Sequence, residues 1–108
     1  MKPVRVRPQA DRDINRALAD LWEEYPSAAV GLIRALDKAY RTLSGQPGIG
    51  SLRYSSVVAG LRMWRVGRYP YLVFYIERAD RLDVVRVLHE AREIPALLEA
   101  TRIEREDE

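Results

Sequence analysis

His89, Tyr75, Arg65, Arg68 and Arg86 are the side chains of this sequence best suited to moving a proton or gripping a phosphate. His89, the sole histidine, could act as a general acid or base, because an imidazole titrates near neutral pH. For a histidine that ends a core strand, a structural hydrogen-bonding role is the stronger reading. Arg65, Arg68 and Arg86 carry planar forks that fit phosphate oxygens, but arginines on a half-exposed sheet face are commonly solvated or paired with carboxylates. Trp64, Tyr69, Tyr71 and Tyr75 could stack on nucleobases; core packing and partner contacts explain them equally well. Trp22 and Tyr25 read first as packing within a helical hairpin and second as an anchor for a partner's helix, since aromatic residues are enriched at interface hot spots.

Composition removes several other chemistries. The chain has no cysteine and one histidine, so disulfides and thiolate metal sites are excluded, a histidine-based metal site is disfavoured, and no cofactor is expected. Gly48 and Gly50 do not form a phosphate loop, because the lysine and the strand-to-helix context are missing. No apolar run reaches the roughly 20 residues that span a bilayer, and the start lacks the apolar stretch of a signal peptide, so a cytoplasmic address with no membrane partner is expected. The net charge of +2 conceals an asymmetry: residues 93–108 hold two basic and six acidic side chains, leaving +6 on residues 1–92. Sixteen of the eighteen basic residues are arginine, which suits bidentate contacts, although a GC-rich genome produces the same bias.

The elements that must position these residues can be read from periodicity. Residues 3–7 alternate as a half-buried strand does. From about Ala10 to Glu24, Ile14, Leu18, Leu21, Trp22 and Tyr25 form a helical stripe. Pro26 opens a second helix, which runs to about Leu43 with Ala29, Ile33, Leu36, Tyr40 and Leu43 on one face, and Ser44-Gly45 stops it. After a loop, and a stretch from Ser51 to Gly60 where a strand could begin, come Leu61–Val66, Tyr71–Glu77 and Leu82–Leu88, joined by connections of hairpin length. Leu72, Phe74 and Ile76 share a face of the middle strand, assigned to the core beneath the helices. Ile94 to Ala100 forms a last short helix, expected to be peripheral, with Leu97 and Leu98 free to touch a target. The class is α+β: β-α-α-β-β-β, a helical hairpin on an antiparallel sheet, then a short C-terminal helix. A single domain is expected over residues 1–100, followed by an acidic, frayed tail over 101–108.

Three segments then carry a family likeness: Gly60-Leu61-Arg62-Met63-Trp64-Arg65-Val66, Tyr69-Pro70-Tyr71-Leu72-Val73-Phe74-Tyr75, and Arg86-Val87-Leu88-His89-Glu90-Ala91-Arg92-Glu93-Ile94-Pro95. In order and spacing they resemble the signature of ParE-type toxins in the RelE/ParE superfamily: a Leu-Arg pair opening one strand, an aromatic Tyr-x-x-Phe-Tyr strand, and a closing Leu-His-x-x-Arg-Asp/Glu. Glu93 stands where the family more often has Asp. The resemblance covers about residues 3–98.

It implies a non-enzymatic bacterial toxin that inhibits DNA gyrase and is neutralised by a ParD-like antitoxin, with two copies of each chain in the complex and operator DNA reached only through the antitoxin. On this reading Trp22, Tyr25, Trp64, Arg65 and Arg68 contact the antitoxin, and Ile94, Leu97 and Leu98 contact gyrase. The alternative is a RelE-like endoribonuclease that cuts mRNA on the ribosome without a metal. That chemistry needs a base for the 2′-hydroxyl, an acid for the leaving oxygen and cations for the phosphorane, and it would fall to Arg65, Arg86 and His89. A third reading is a chain that has lost toxicity and persists as a binding partner of its antitoxin.

Overall fold

Pro8 and Pro26 set the helical half of the fold. Each sits in a first helical turn, where its missing N–H costs nothing, and they open α1 (Pro8–Glu24) and α2 (Pro26–Gly45). Tyr25 is the hinge between them: its N–H donates to the Leu21 carbonyl to close α1, and its own carbonyl accepts from Ala28 and Ala29 to start α2. In this computed structural model, which describes residues 1–103, the two helices form the expected hairpin on one face of a four-stranded sheet.

The sheet comprises β1 (Val4–Val6), β2 (Leu61–Arg65), β3 (Tyr71–Glu77) and β4 (Leu82–His89), in the order β1-β4-β3-β2. β2, β3 and β4 make the expected antiparallel meander. β1 departs from the expectation of an antiparallel sheet, because it lies parallel to β4 and the sheet is mixed. The reason is topological: the chain leaves β1, crosses one face through both helices, and re-enters through the meander, whose last strand runs the same way as the first. The stretch from Ser51 to Gly60 holds turns and not a strand; only Ser51 pairs, in an isolated bridge to Met63 on the outer edge of β2.

Two face assignments change. Val73 and Tyr75 of β3 look toward the helices, together with Val84 and Val87 of β4, and meet Ala10, Ala17, Leu32, Leu36 and Leu43. Leu72, Phe74 and Ile76, expected beneath the helices, lie on the opposite face with Leu61, Val85, Leu88, Ile94 and Leu98. Alternation could not decide between these faces because both are apolar and both are covered. The second cover comes from α3 (Ile94–Ala100) and from Tyr54, Val57 and Val58 of the preceding turns. On α2 the buried stripe is Ala29, Leu32, Leu36, Ala39 and Leu43, so Ile33 has rotated outward from its expected core position.

The packing reaches past residue 100: Thr101 is hydrogen-bonded to Arg86, and Ile103 packs on the second core. The rest of the expected acidic tail, residues 104–108, lies outside the described residues.

Gly31, in the middle of α2, lets the β2–β3 turn approach closely, for a Cβ there would sit 2.0 Å from the Tyr69 hydroxyl oxygen. Gly31→Ala should therefore cost about 1–3 kcal/mol in urea unfolding through overpacking. In a Tyr69→Phe background the closest remaining neighbour is the ring carbon at 3.3 Å, and the same change should cost less than about 1 kcal/mol because alanine favours the helix. Equal costs in the two backgrounds would show that Tyr69 is not what the glycine accommodates.

Candidate functional site

The outer face of the helical hairpin leaves large apolar side chains in water. Trp22 is 59% exposed, Tyr25 63%, Ile33 53% and Val30 42%, and Leu18, Ala19 and Ala29 join Trp22, Val30 and Ile33 in a wholly apolar groove of about 290 Å³. The local cause is helical phase. The side of α1 bearing Ala10, Ile14, Ala17 and Leu21 faces the core, so Leu18 and Trp22, one turn apart, fall on its flank beside α2. Trp22 and Tyr25 thus do not fill the interior of the hairpin. Four large exposed apolar groups on one face amount to a patch of the kind that marks a binding surface.

A second group gathers where β2 turns into β3. Trp64 is half-buried against the helix-side core and lines a groove of about 370 Å³ with Ala35, Ala39 and Arg65. The Arg65 guanidinium pairs with Glu90 at 2.5 Å, both side chains nearly half exposed, and Arg68 is exposed in the turn. In such a setting the ion pair contributes little stability, which leaves both groups available to a partner.

The residues of the nuclease alternative are not gathered in one cavity. Arg86 and His89 line a groove between α1 and the end of β4, whereas Arg65 lines the other one. Arg86 is buried and committed to the fold: its Nε and Nη2 donate to the two carboxylate oxygens of Asp13 at 2.8 and 3.0 Å, and its Nη1 donates to Thr101 Oγ1 at 2.9 Å. His89 Nδ1 accepts the Ala91 N–H at 3.0 Å, so in the neutral ring the proton resides on Nε2, and the ring stands edge-on to Tyr71 at 5.3 Å. Tyr75 is fully buried; its hydroxyl donates to the Pro47 carbonyl and accepts the Gly50 N–H. Burial, outweighing the hydrogen bond accepted from Gly50 and the nearby charge of Arg62, holds this phenol above its ordinary range. Among the described residues no cluster of His, Asp and Glu could hold a metal ion, and no helix is long and apolar enough to cross a membrane.

The last helix is less free than expected. Ile94 is 4% exposed and Leu98 0%, both within the second core, because α3 must cover the face of β3 and β4 that the hairpin leaves bare. Of the three residues expected to meet gyrase only Leu97 is partly accessible. Asp13, absent from the sequence-based candidates, is the residue that joins helix to sheet. Nothing in the sequence linked it to Arg86, 73 positions away.

A family model described as the ParE toxin of the type II toxin-antitoxin system parDE matches residues 4–94. The chain belongs to the ParE toxin family. A solved chain from the chromosomal ParDE toxin-antitoxin system of P. aeruginosa superposes with a TM-score of 0.70 at 17% identity, over 82% of this chain and 96% of that one. At that identity the likeness is one of fold. No curated protein sequence matches the chain. The match to the family spans all four strands and the hairpin of this ParE-family toxin and ends at the first residue of α3.

Three substitutions separate structural from surface roles. Asp13→Ala leaves a buried guanidinium without its carboxylate and should cost about 3–5 kcal/mol, read as a lowered urea midpoint; an unchanged midpoint would remove Asp13 from this role. Leu98→Ala should cost about 2–5 kcal/mol as a core truncation, whereas Leu97→Ala should stay within about 1 kcal/mol of the parent. The reverse order of midpoints would contradict the burial of α3.

Proposed function

We propose that this ParE-family chain is the growth-arresting member of a toxin–antitoxin pair that inhibits DNA gyrase in the cytoplasm, and that a ParD-like antitoxin neutralises it in a complex with two copies of each chain. The observation that carries the antitoxin half of the reading is the apolar groove on the hairpin, with Trp22, Val30 and Ile33 exposed along it. A groove between two helices, apolar throughout, suits the apolar face of an amphipathic helix. An antitoxin segment that orders on binding would supply one. Trp64, Arg65 and Arg68 form a second, more polar contact around the β2–β3 turn. Operator DNA is reached through the antitoxin alone.

The gyrase half rests on family membership and on the state of the alternative chemistry. An endoribonuclease would require Arg65, Arg86 and His89 to converge on one phosphate. Arg86 is instead spent on Asp13 and Thr101, and Arg65 faces a different groove. Inhibition by binding needs no such convergence. Leu97 and the exposed side of α3 are the surface assigned to gyrase, with Ile94 and Leu98 acting beneath it by holding the helix in place.

Trp22→Glu and Ile33→Glu should leave the fold intact, since both side chains are already in water, and should weaken binding to the product of the adjacent reading frame by about 10–100-fold per site, as loss of an interface anchor does. Isothermal titration of the co-expressed pair measures this; full affinity in both variants would move the antitoxin elsewhere. For the target, purified chain added to gyrase should stop supercoiling and leave cleaved DNA, with ribosome-bound mRNA intact. Intact supercoiling together with mRNA cleavage lost on His89→Gln would establish the ribonuclease instead.

A further inference from the structure

The groove of about 500 Å³ between α1 and the end of β4 is used neither by the antitoxin surface nor by the gyrase surface assigned above. Arg12 and Arg16 stand one helical turn apart on its α1 wall, and Arg92 stands on the opposite wall, just beyond β4. All three are exposed. Arg12 is hydrogen-bonded to neutral Gln9, and among the described residues none of the three forms an ion pair. Arg86 also lines the groove, but Asp13 neutralises it. One other carboxylate remains in the lining, that of Asp20, whose charge, after the larger effect of burial, helps hold the Tyr71 phenol above its ordinary range.

Three guanidiniums that share one groove, with the Asp20 carboxylate alone left to offset them, repel one another and do nothing for the fold. Such a concentration of one sign in a concave site draws in an anion of several charges. The floor adds a second requirement: two aromatic rings, Tyr71 and His89, stand edge-to-face at 5.3 Å, with His89 Nε2–H as a donor. Cations along two walls over an aromatic floor is the combination that binds a nucleic-acid strand through phosphates and a stacked base. An acidic peptide would use the cations but has no need of the rings.

We propose that this groove binds single-stranded DNA, with Arg12, Arg16 and Arg92 on successive phosphates and Tyr71 beneath a base. The choice of DNA over RNA rests on the gyrase reading, in which the protein acts where DNA is cleaved and its ends are opened; the existence of a strand-binding groove does not.

The test is fluorescence anisotropy of the full chain with a labelled oligothymidylate of about 12 nucleotides. Binding should weaken with salt with a log–log slope of about −2, as three phosphate contacts on a single strand require. The double variant Arg16→Glu/Arg92→Glu should lose at least about tenfold in affinity and most of the slope. Tyr71→Leu should lose about tenfold through the missing stack, and Asp20→Asn should tighten binding. Arg41→Glu, which changes the net charge on the far side of α2 where Arg41 pairs with Asp37, should change it less than about twofold. Circular dichroism and urea midpoints establish that each variant is folded.

Equal losses in the Arg41 control and the groove variant would reduce the effect to overall charge and overturn the proposal. Oligoglutamate binding as tightly as oligothymidylate, with no effect of Tyr71→Leu, would assign the groove to an acidic peptide. Tighter binding of oligouridylate would assign it to RNA. A chain that inhibits gyrase yet binds no oligonucleotide would overturn this inference and leave the gyrase reading standing.

Discussion

A three-residue β1 cannot cover an eight-residue β4, and the way the uncovered edge is closed organises this molecule. β1 pairs with β4 only from Leu82 to Val84. Beyond that, the backbone N–H of Val87 would face an apolar layer with no strand partner, and a buried amide left unpaired is costly. Asp13 of α1 supplies the missing acceptor at 3.0 Å, and the same carboxylate receives the bidentate fork of Arg86. Arg86 in turn reaches Thr101, whose hydroxyl donates to the Leu97 carbonyl at the end of α3. One carboxylate thereby ties the first helix, the last strand and the last helix into one arrangement. A break in β4 pairing accompanies this, for Phe74 pairs with Arg86 and Tyr75 with Val84, leaving Val85 as an extra residue. The resulting bulge lets Val85 stay in the second core while Arg86 turns toward Asp13.

The same constraint explains how a short chain maintains two cores. The hairpin covers one face of the sheet, and α3 with the turns after Ser51 covers the other. Tyr75 bridges the first core to the loop, its hydroxyl held between the Pro47 carbonyl and the Gly50 N–H, where a Cβ on Gly50 would come within 2.5 Å of that oxygen. At the hairpin between β3 and β4, Asp83 is buried with Arg78 and Arg81 on its carboxylate. Burial alone would raise that carboxyl, but the two guanidiniums outweigh it and hold it below the usual range. The Tyr75 hydroxyl and the Asp83 carboxylate, liabilities inside so small a fold, are thus each met by partners in fixed geometry.

What the core does not use is displayed. The apolar groove of the hairpin and the arginine groove beside β4 lie on different parts of the surface, and each is built from residues that the neighbouring core positions force outward: Trp22 and Ile33 by the phase of the helices, Arg12 and Arg16 by the same phase on the opposite flank of α1. The two surfaces are chemically distinct, one apolar and one cationic.

The sequence alone determined the elements, because their signals are local: prolines at helix starts, the Ser44-Gly45 stop, β-branched and aromatic runs between short turns, and three ordered segments that carry the family likeness. It also placed Arg65, Arg68, Trp22 and Tyr25 on elements where a partner could meet them. Three matters were left to tertiary structure. Which face of β3 meets the hairpin was undecidable because Leu72, Phe74 and Ile76 are as apolar as Val73 and Tyr75, and a pattern with both sides apolar has no phase to read. The direction of β1 depends on the crossover of the intervening helices, not on Val4 to Val6 themselves. The roles of Arg86, Ile94 and Leu98 depended on what lay across from them: Asp13 lies 73 positions from Arg86, and the bare sheet face that buries Ile94 and Leu98 exists only once the strands have assembled. A side chain's type is written in the chain, but its availability is set by the groups that folding brings against it.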